Sequence, residues 1–275
     1  MIANARMYSV TPQVGALWRR LLEVVLAGVD GNAVEIVDHR PPAPISELWQ
    51  RPDKAAVFMC GLPISRATPR PSIVAAPVPS PAGYGGRPCY WTDLVVRADS
   101  PFMTLEQTFG HRLSLTSPES QSGYAAPLHA LMPHGGDEPL YREVIAPTFT
   151  PIGSLMSVIE QRAEVAPLDS YAFALLQKHA PELTAQVRVV KSTEPTPIPA
   201  LVASGAASAK LTEAFLAAGP AVLEPLLLER FVLPEEAPYD ALRERFEAAT
   251  AFWRSHRLAA TLHRDFATDP ARGAG

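Results

Sequence analysis

A chain of 275 residues is long for one compact domain and comfortable for two, and 47% hydrophobic with 19% charged residues is a globular balance with material for real cores. The formal net charge of −4 excludes a general nucleic-acid binder, which would carry a basic patch or stripe. No stretch approaches the ~18 apolar residues of a membrane span, and Cys60 and Cys89 alone can build neither a disulfide framework nor a four-ligand zinc site.

In chain order, residues 5–10 read as a strand, after which Pro12 opens a helix with Leu17, Trp18, Leu21, Leu22, Val25 and Leu26 at helical spacing. Residues 34–37 are a strand, 45–50 a short helix and 55–59 a buried strand ending at Cys60-Gly61. An apolar run over 73–78 leads into a loop rich in Pro and Gly, 79–88. A strand at 94–97, a short helix at 104–109 capped by Thr104 and a strand at 112–115 follow. Ser120 then leads into a helix to about residue 131. Segments 144–149, 155–161, 164–168 and 170–179 continue the alternation, and 187–190 closes it. Glu194-Pro195-Thr196-Pro197-Ile198-Pro199 resists helix and reads as a stiff extended connector. Beyond it, 208–256 is largely helical, with Phe246, Ala249, Phe252 and Trp253 as a core-facing stripe.

Strand–helix–strand repetition predicts an α/β protein with mostly parallel sheets and helices on both faces. The 29 prolines, roughly twice the average share, punctuate turns rather than forming a low-complexity tract. Two Pro-rich connectors bracket a block of about 100 residues, within the usual domain size. The expected organisation is a discontinuous lobe 1 of residues 1–87 plus 196–275, with lobe 2, residues 88–195, inserted into it. Ligands of open α/β sheets bind beyond the carboxyl ends of strands, so two such lobes would face each other across a cleft closing on a hinge. Cys60 and Cys89 read as reduced thiols, with one bridge between them the alternative. The first residues, Met-Ile-Ala-Asn-Ala-Arg-Met-Tyr, show no basic segment followed by an apolar h-region, which leaves a cytoplasmic and an exported setting both open.

Several short motifs occur in a fixed order: Met7-Tyr8; Cys60-Gly61-Leu62-Pro63; Tyr90-Trp91-Thr92-Asp93-Leu94-Val95-Val96-Arg97; Gly110-His111-Arg112-Leu113; Ser117-Pro118-Glu119-Ser120-Gln121-Ser122-Gly123-Tyr124; Gly153-Ser154; and Glu164-Val165-Ala166-Pro167-Leu168-Asp169-Ser170. Together the chain from Met7 to about Ser204 resembles the substrate-binding proteins of phosphate, phosphite and phosphonate ABC transporters, within the type II periplasmic-binding fold. The resemblance implies two lobes, each a mixed sheet flanked by helices, with a hinge between them. It also implies capture of a small oxyanion or organic acid for an ABC permease, without a cofactor or a metal, by a monomer or weak dimer.

The turn Ser120-Gln121-Ser122-Gly123 carries the chemistry most plainly. A helix start leaves backbone N–H groups unpaired and adds roughly half a positive charge, and two hydroxyls, an amide and a glycine complete a neutral grip on an anion. The bland reading is a Ser N-cap. By resemblance Tyr8 and Tyr90 line the ligand, Gly61 after Cys60 allows close approach, and Asp169 accepts from a protonated ligand oxygen or an amine. Core filling for the tyrosines and helix capping for Asp169 are their plain alternatives. Where the family commonly has Gly-Ser-His, this chain has Gly153-Ser154-Leu155, which points to a less charged or partly apolar ligand. An enzyme on the same fold is the competing expectation, but seven scattered histidines show no H-E-x-x-H spacing and there is no Gly-x-Ser-x-Gly elbow. A ligand sensor uncoupled from transport is a third.

Overall fold

The computed structural model describes residues 1–29 and 34–262, so His263 lies outside the described residues. The strands are β1 (Ile2–Asn4), β2 (Glu35–Ile36), β3 (Lys54–Met59), β4 (Ser72–Pro79), β5 (Cys89–Tyr90), β6 (Thr92–Arg97), β7 (Arg112–Ser114), β8 (Tyr141–Ile145), β9 (Val165–Asp169), β10 (Val187–Ser192), β11 (Thr196–Pro197), β12 (Ala200–Ala203), β13 (Leu228–Val232) and β14 (Ala259–Leu262). The α-helices are α1 (Pro12–Ala27), α2 (Ser46–Gln50), α3 (Gly61–Arg66), α4 (Ala126–Leu131), α5 (Pro151–Ile159), α6 (Ser170–His179), α7 (Pro181–Thr184), α8 (Ala209–Leu216), α9 (Pro220–Leu223) and α10 (Ala237–Ser255). The chain divides into two compact units. One is Met1–Tyr90, Ala174–Ala180 and Pro195–Leu242; the other is Trp91–Phe173, Pro181–Glu194 and Arg243 onward.

The first unit is built on a six-stranded sheet in the order β13-β4-β12-β3-β1-β2. The chain's return supplies β12, which runs antiparallel between β3 and β4, and β13, antiparallel at the edge of β4, which is why this unit is discontinuous. Against the sheet lies α1, started by Pro12 at its first position and by Thr11, whose Oγ1 accepts the Val14 N–H at 3.2 Å. Its periodic face buries Val14, Trp18, Leu21, Leu22 and Val25. Trp18 stacks on Tyr8 with ring centroids 6.2 Å apart and meets Phe58 edge-on at 5.1 Å. The expected strand over 5–10 is instead β1 followed by a 3₁₀ turn at Arg6–Tyr8. Asn4 Oδ1 accepts the Arg6 N–H at 2.8 Å and curls the chain, which delivers Tyr8 to this aromatic cluster.

The second unit holds the sheet β10-β6-β9-β7-β8-β14. Strands β9, β7, β8 and β14 run parallel, while β6 runs antiparallel to both of its neighbours, β9 and β10, and β12 and β13 reverse direction in the first sheet, so both large sheets are mixed rather than mostly parallel. One core gathers Leu94, Leu113, Leu115, Leu128, Leu131, Tyr141, Val144 and Val165 with Ala249 of α10. The stripe of α10 therefore packs here from Arg243 on, and β14 extends β8, so residues after 242 join this unit rather than the lobe that runs 1–87 plus 196–275. The largely helical reading of 208–256 is corrected by β13, whose Leu228 and Phe231 are buried while Glu229 and Arg230 are exposed. The expected helix at 104–109 shrinks to a 3₁₀ turn at Glu106–Thr108, and Gln107 Oε1, not Thr104, binds the free N–H groups of Met103 and Thr104.

Candidate functional site

Because β7, β8 and β9 are parallel, the segments that follow them emerge at one edge of the second unit's sheet. These segments are the turn at Ser120–Gly123, the connection through Thr148 and Phe149 into α5, and the junction Asp169–Ser170 into α6. Ligands of open α/β sheets bind at this carboxyl edge.

The Ser120 turn is a single π-helical turn, Gln121–Ala125, leading into α4. Ser120 is its N-cap, with Oγ accepting the Gly123 N–H at 2.9 Å. Pro127 explains the wider turn, since it has no N–H for the Gly123 carbonyl four residues back, and that carbonyl is taken by the Thr116 N–H at 3.0 Å. The Ser122 carbonyl accepts from Thr92 Oγ1 at 2.9 Å, so β6 and the segment just after β7 both grip the turn. The N–H groups of Gln121 and Ser122 have no intrahelical acceptor, as at any helix start. Gln121 and Ser122 are themselves buried. Two buried polar atoms here, Thr116 Oγ1 and Gln121 Oε1, have no hydrogen-bond partner within the described residues, and the same holds for Ser114 Oγ at the end of β7. Gly123 serves packing directly, because a Cβ there would lie 2.0 Å from Thr116 Oγ1.

In the next segment the helix begins before Gly153-Ser154-Leu155. The helix start is Thr150-Pro151, with Thr150 Oγ1 capping the Gly153 N–H at 3.0 Å and Pro151 at the first helical position. Ser154 and Leu155 lie inside α5 and are completely buried. The Ser154 hydroxyl bonds Thr148 Oγ1 at 2.7 Å, and Leu155 is core. Gly153 is required because a Cβ would sit 2.1 Å from the Thr148 carbonyl oxygen. Just before the cap, Phe149 holds φ 61°, a left-handed conformation that costs a bulky residue roughly 1–2 kcal/mol.

Asp169 ends β9 and caps α6, its Oδ1 accepting the Ala172 N–H at 2.9 Å. Ser170 Oγ accepts the Trp91 N–H at 3.1 Å and ties this junction to β6. On β6, Asp93 is a buried carboxyl whose Oδ1 accepts from Trp91 Nε1 at 2.9 Å and from Ser192 Oγ at 2.5 Å. Burial raises its pKa above the ordinary carboxylate value, outweighing the pull of those two donors. The native state therefore holds this proton more tightly than the unfolded chain, and stability drains as pH climbs from the ordinary carboxylate pKa through the raised one. Asp93→Asn should remove that loss. Thermal melts should show the variant gaining on the parent between pH 4 and pH 7, and a constant difference would refute the assignment.

In the first unit, β1 and β3 are parallel, and Tyr8 and Cys60-Gly61 follow their carboxyl ends. Met7 Sδ lies 3.8 Å from Cys60 Sγ, which places the two segments side by side. Tyr8 is a fully buried member of the aromatic cluster. Gly61 lets Leu242 and Tyr239 pack closely, a Cβ there falling 2.4 Å from Leu242 Cδ1. Tyr90, also fully buried, pairs with Thr196 in the two-stranded ribbon β5–β11. Both cysteines are free thiols.

Sequence reasoning missed Ser114, Thr116, Asp93, Thr148 and Phe149. For Ser114 and Thr116 a signal was present: they alternate with the core residues Leu113 and Leu115 and so share the strand's other face. Among the described residues no group of three His, Cys, Asp or Glu could hold a metal, and no helix is long and apolar enough to cross a membrane. A cavity of about 300 Å³ lies at the opposite, amino-terminal ends of β7 and β9, between the pairs Arg97–Asp99 and Arg112–Glu164.

Comparison with known proteins places this architecture. Residues 56–239, more than half of the chain, match the model of the ABC transporter phosphonate periplasmic substrate-binding protein family. No curated protein matches the chain by sequence. Among solved structures, a binding protein component of an ABC phosphonate transporter from Pseudomonas aeruginosa aligns with a TM-score of 0.74 at 17% identity, over 96% of this chain and 91% of that one. PhnD1 from Prochlorococcus marinus, in complex with methylphosphonate, aligns with a TM-score of 0.71 at 13% identity, over 91% and 98%. A Xanthomonas citri protein bound to ATP aligns with a TM-score of 0.61 at 17% identity, over 92% and 98%. At such identities the structures establish a shared fold, the type II periplasmic-binding fold, and the family match goes further: this chain belongs to the periplasmic substrate-binding proteins of phosphonate ABC transporters.

Proposed function

We propose that this protein captures a small phosphonate-class oxyanion at the turn Ser120–Gly123 and presents it to the permease of an ABC importer, without turning it over. The observation that carries the reading is a pair of buried, unpartnered polar atoms at the helix start, Thr116 Oγ1 packed against Gly123 and Gln121 Oε1 in the turn itself, with a third, Ser114 Oγ, at the end of β7. Each such group costs about 1–3 kcal/mol when left unsatisfied. Hydroxyls donate to an oxyanion, and the Gln121 carbonyl accepts from a protonated ligand oxygen. The first-turn N–H groups add the helix-end charge. Asp169 closes the same edge as a cap. Tyr8, Tyr90 and Ser154 act by holding their elements in place, and Cys60-Gly61 by shaping the first unit's edge.

Thermal shift with methylphosphonate, phenylphosphonate, phosphite, phosphate and small organic acids tests this. A phosphonate should stabilise saturably, by roughly 2.7 kcal/mol at 100 times its Kd. Ser120→Ala with Ser122→Ala should weaken that ligand by tens-fold or more, and the lost cap should separately lower stability by about 1 kcal/mol. Mass spectrometry should recover the ligand unchanged; a converted product would point to an enzyme on this fold. Unaltered affinity in the double variant would remove the turn from the site.

A further inference from the structure

We infer that Phe149 is a specificity-determining residue, an aromatic wall that selects phosphonates carrying a bulky apolar substituent; this rests on the reading of the Ser120 turn as the oxyanion site. The position is held in a left-handed backbone at φ 61°, a conformation that suits glycine and not phenylalanine. Strain of this kind persists only where the surroundings over-determine it, and here they do. On one side, the Thr148 N–H and Oγ1 both donate to the Leu115 carbonyl, at 3.1 and 3.2 Å. On the other, Thr150 is fixed as the cap of α5, and its own N–H donates to the Thr148 carbonyl at 2.7 Å. The strain is not exchanged for burial, because the side chain is 47% exposed. A large aromatic held out of the core in a backbone it disfavours calls for a role beyond packing.

Its place says which role. Phe149 follows β8 at the carboxyl edge that also carries Ser120–Gly123 after the neighbouring β7. The Leu115 carbonyl that anchors Thr148 belongs to the residue before Thr116, and Thr116 packs on Gly123. The ring has no polar atom and its face is electronegative, so it repels the anionic end of a ligand and suits the organic end. Neighbouring Pro147 and Pro151 add no charge. A phosphonate gripped at the turn by its oxygens would lay an apolar substituent against this ring.

The test pairs Phe149→Ala with Phe149→Gly and compares phenylphosphonate with methylphosphonate by calorimetry and thermal melting of the full chain. Both variants should bind phenylphosphonate about tenfold more weakly and methylphosphonate within about twofold of the parent. Phe149→Gly should melt above Phe149→Ala, because only glycine relieves the backbone. Equal losses for both ligands, or no loss for either, would overturn the wall while leaving the oxyanion site standing. If no phosphonate stabilises the parent protein, both readings fall together.

Discussion

Gly123→Ala should abolish phosphonate binding and unfold at markedly lower urea than the parent. Two effects oppose each other at this position. Alanine is favoured over glycine inside a helix by roughly 0.5–1 kcal/mol, which taken alone would predict a gain. Against it, the new methyl would lie 2.0 Å from Thr116 Oγ1, 2.6 Å from its Cγ2 and 2.8 Å from its Cβ. Thr116 is buried and cannot swing aside. Overpacking of this severity costs about 1–3 kcal/mol or more, so sterics win, and the turn must move away from β7. Pairing it with Thr116→Gly should restore part of the stability, with a coupling above about 0.5 kcal/mol, but not the binding, since one of the unpartnered hydroxyls is then gone. Strictly additive losses would mean that the contact is not the cause.

Trp18→Ala should produce the largest single loss of stability, about 3–5 kcal/mol. The side chain is completely buried, stacked on Tyr8 and edge-on to Phe58, so its removal leaves a large cavity in the core. Its indole Nε1 has no hydrogen-bond partner within the described residues. Trp18→Phe therefore deletes a donor whose burial is costly along with some volume, and the first effect partly offsets the second. Urea unfolding should place Trp18→Phe well above Trp18→Ala; equal midpoints would show that shape alone sets the cost. Phe58 lies on β3, which leads directly into the Cys60-Gly61 junction, so the loss should also loosen that junction.

These two residues also mark how far the sequence is readable. Trp18 was plain from the spacing of α1, because burial on one helix face leaves a 3.6-residue rhythm in a single segment. The same holds for β3 and for the Ser120 turn, whose cap, amide and glycine are local chemistry. By contrast β13 was hidden. Leu228-Glu229-Arg230-Phe231 fits a helix as well as a strand, and its partner β4 lies about 150 residues away in sequence. The fate of α10 was hidden for the same reason, its stripe being visible but not the core it enters. At the site, Gly153-Ser154 drew the eye by likeness to a motif, although Thr150-Pro151 carries the stronger physical signal, a capping hydroxyl followed by proline. Gly123 is legible as a close-approach position, but its contact with Thr116 is not. Which atom a glycine makes room for depends on tertiary packing, and no local pattern records it.

The π turn at Gln121–Ala125 has a kinetic consequence. Two of its carbonyls, those of Ser122 and Gly123, are already anchored to Thr92 of β6 and to Thr116 just after β7, and Ser120 fixes the turn from its own end. On the proposed reading, a ligand arriving there would meet donors already aimed, with no loop to order, and little conformational entropy would be lost on association. Phosphonates differing only in their substituent would then arrive at similar rates and part company in how long they stay. Discrimination by this protein would be a matter of residence time, settled after capture.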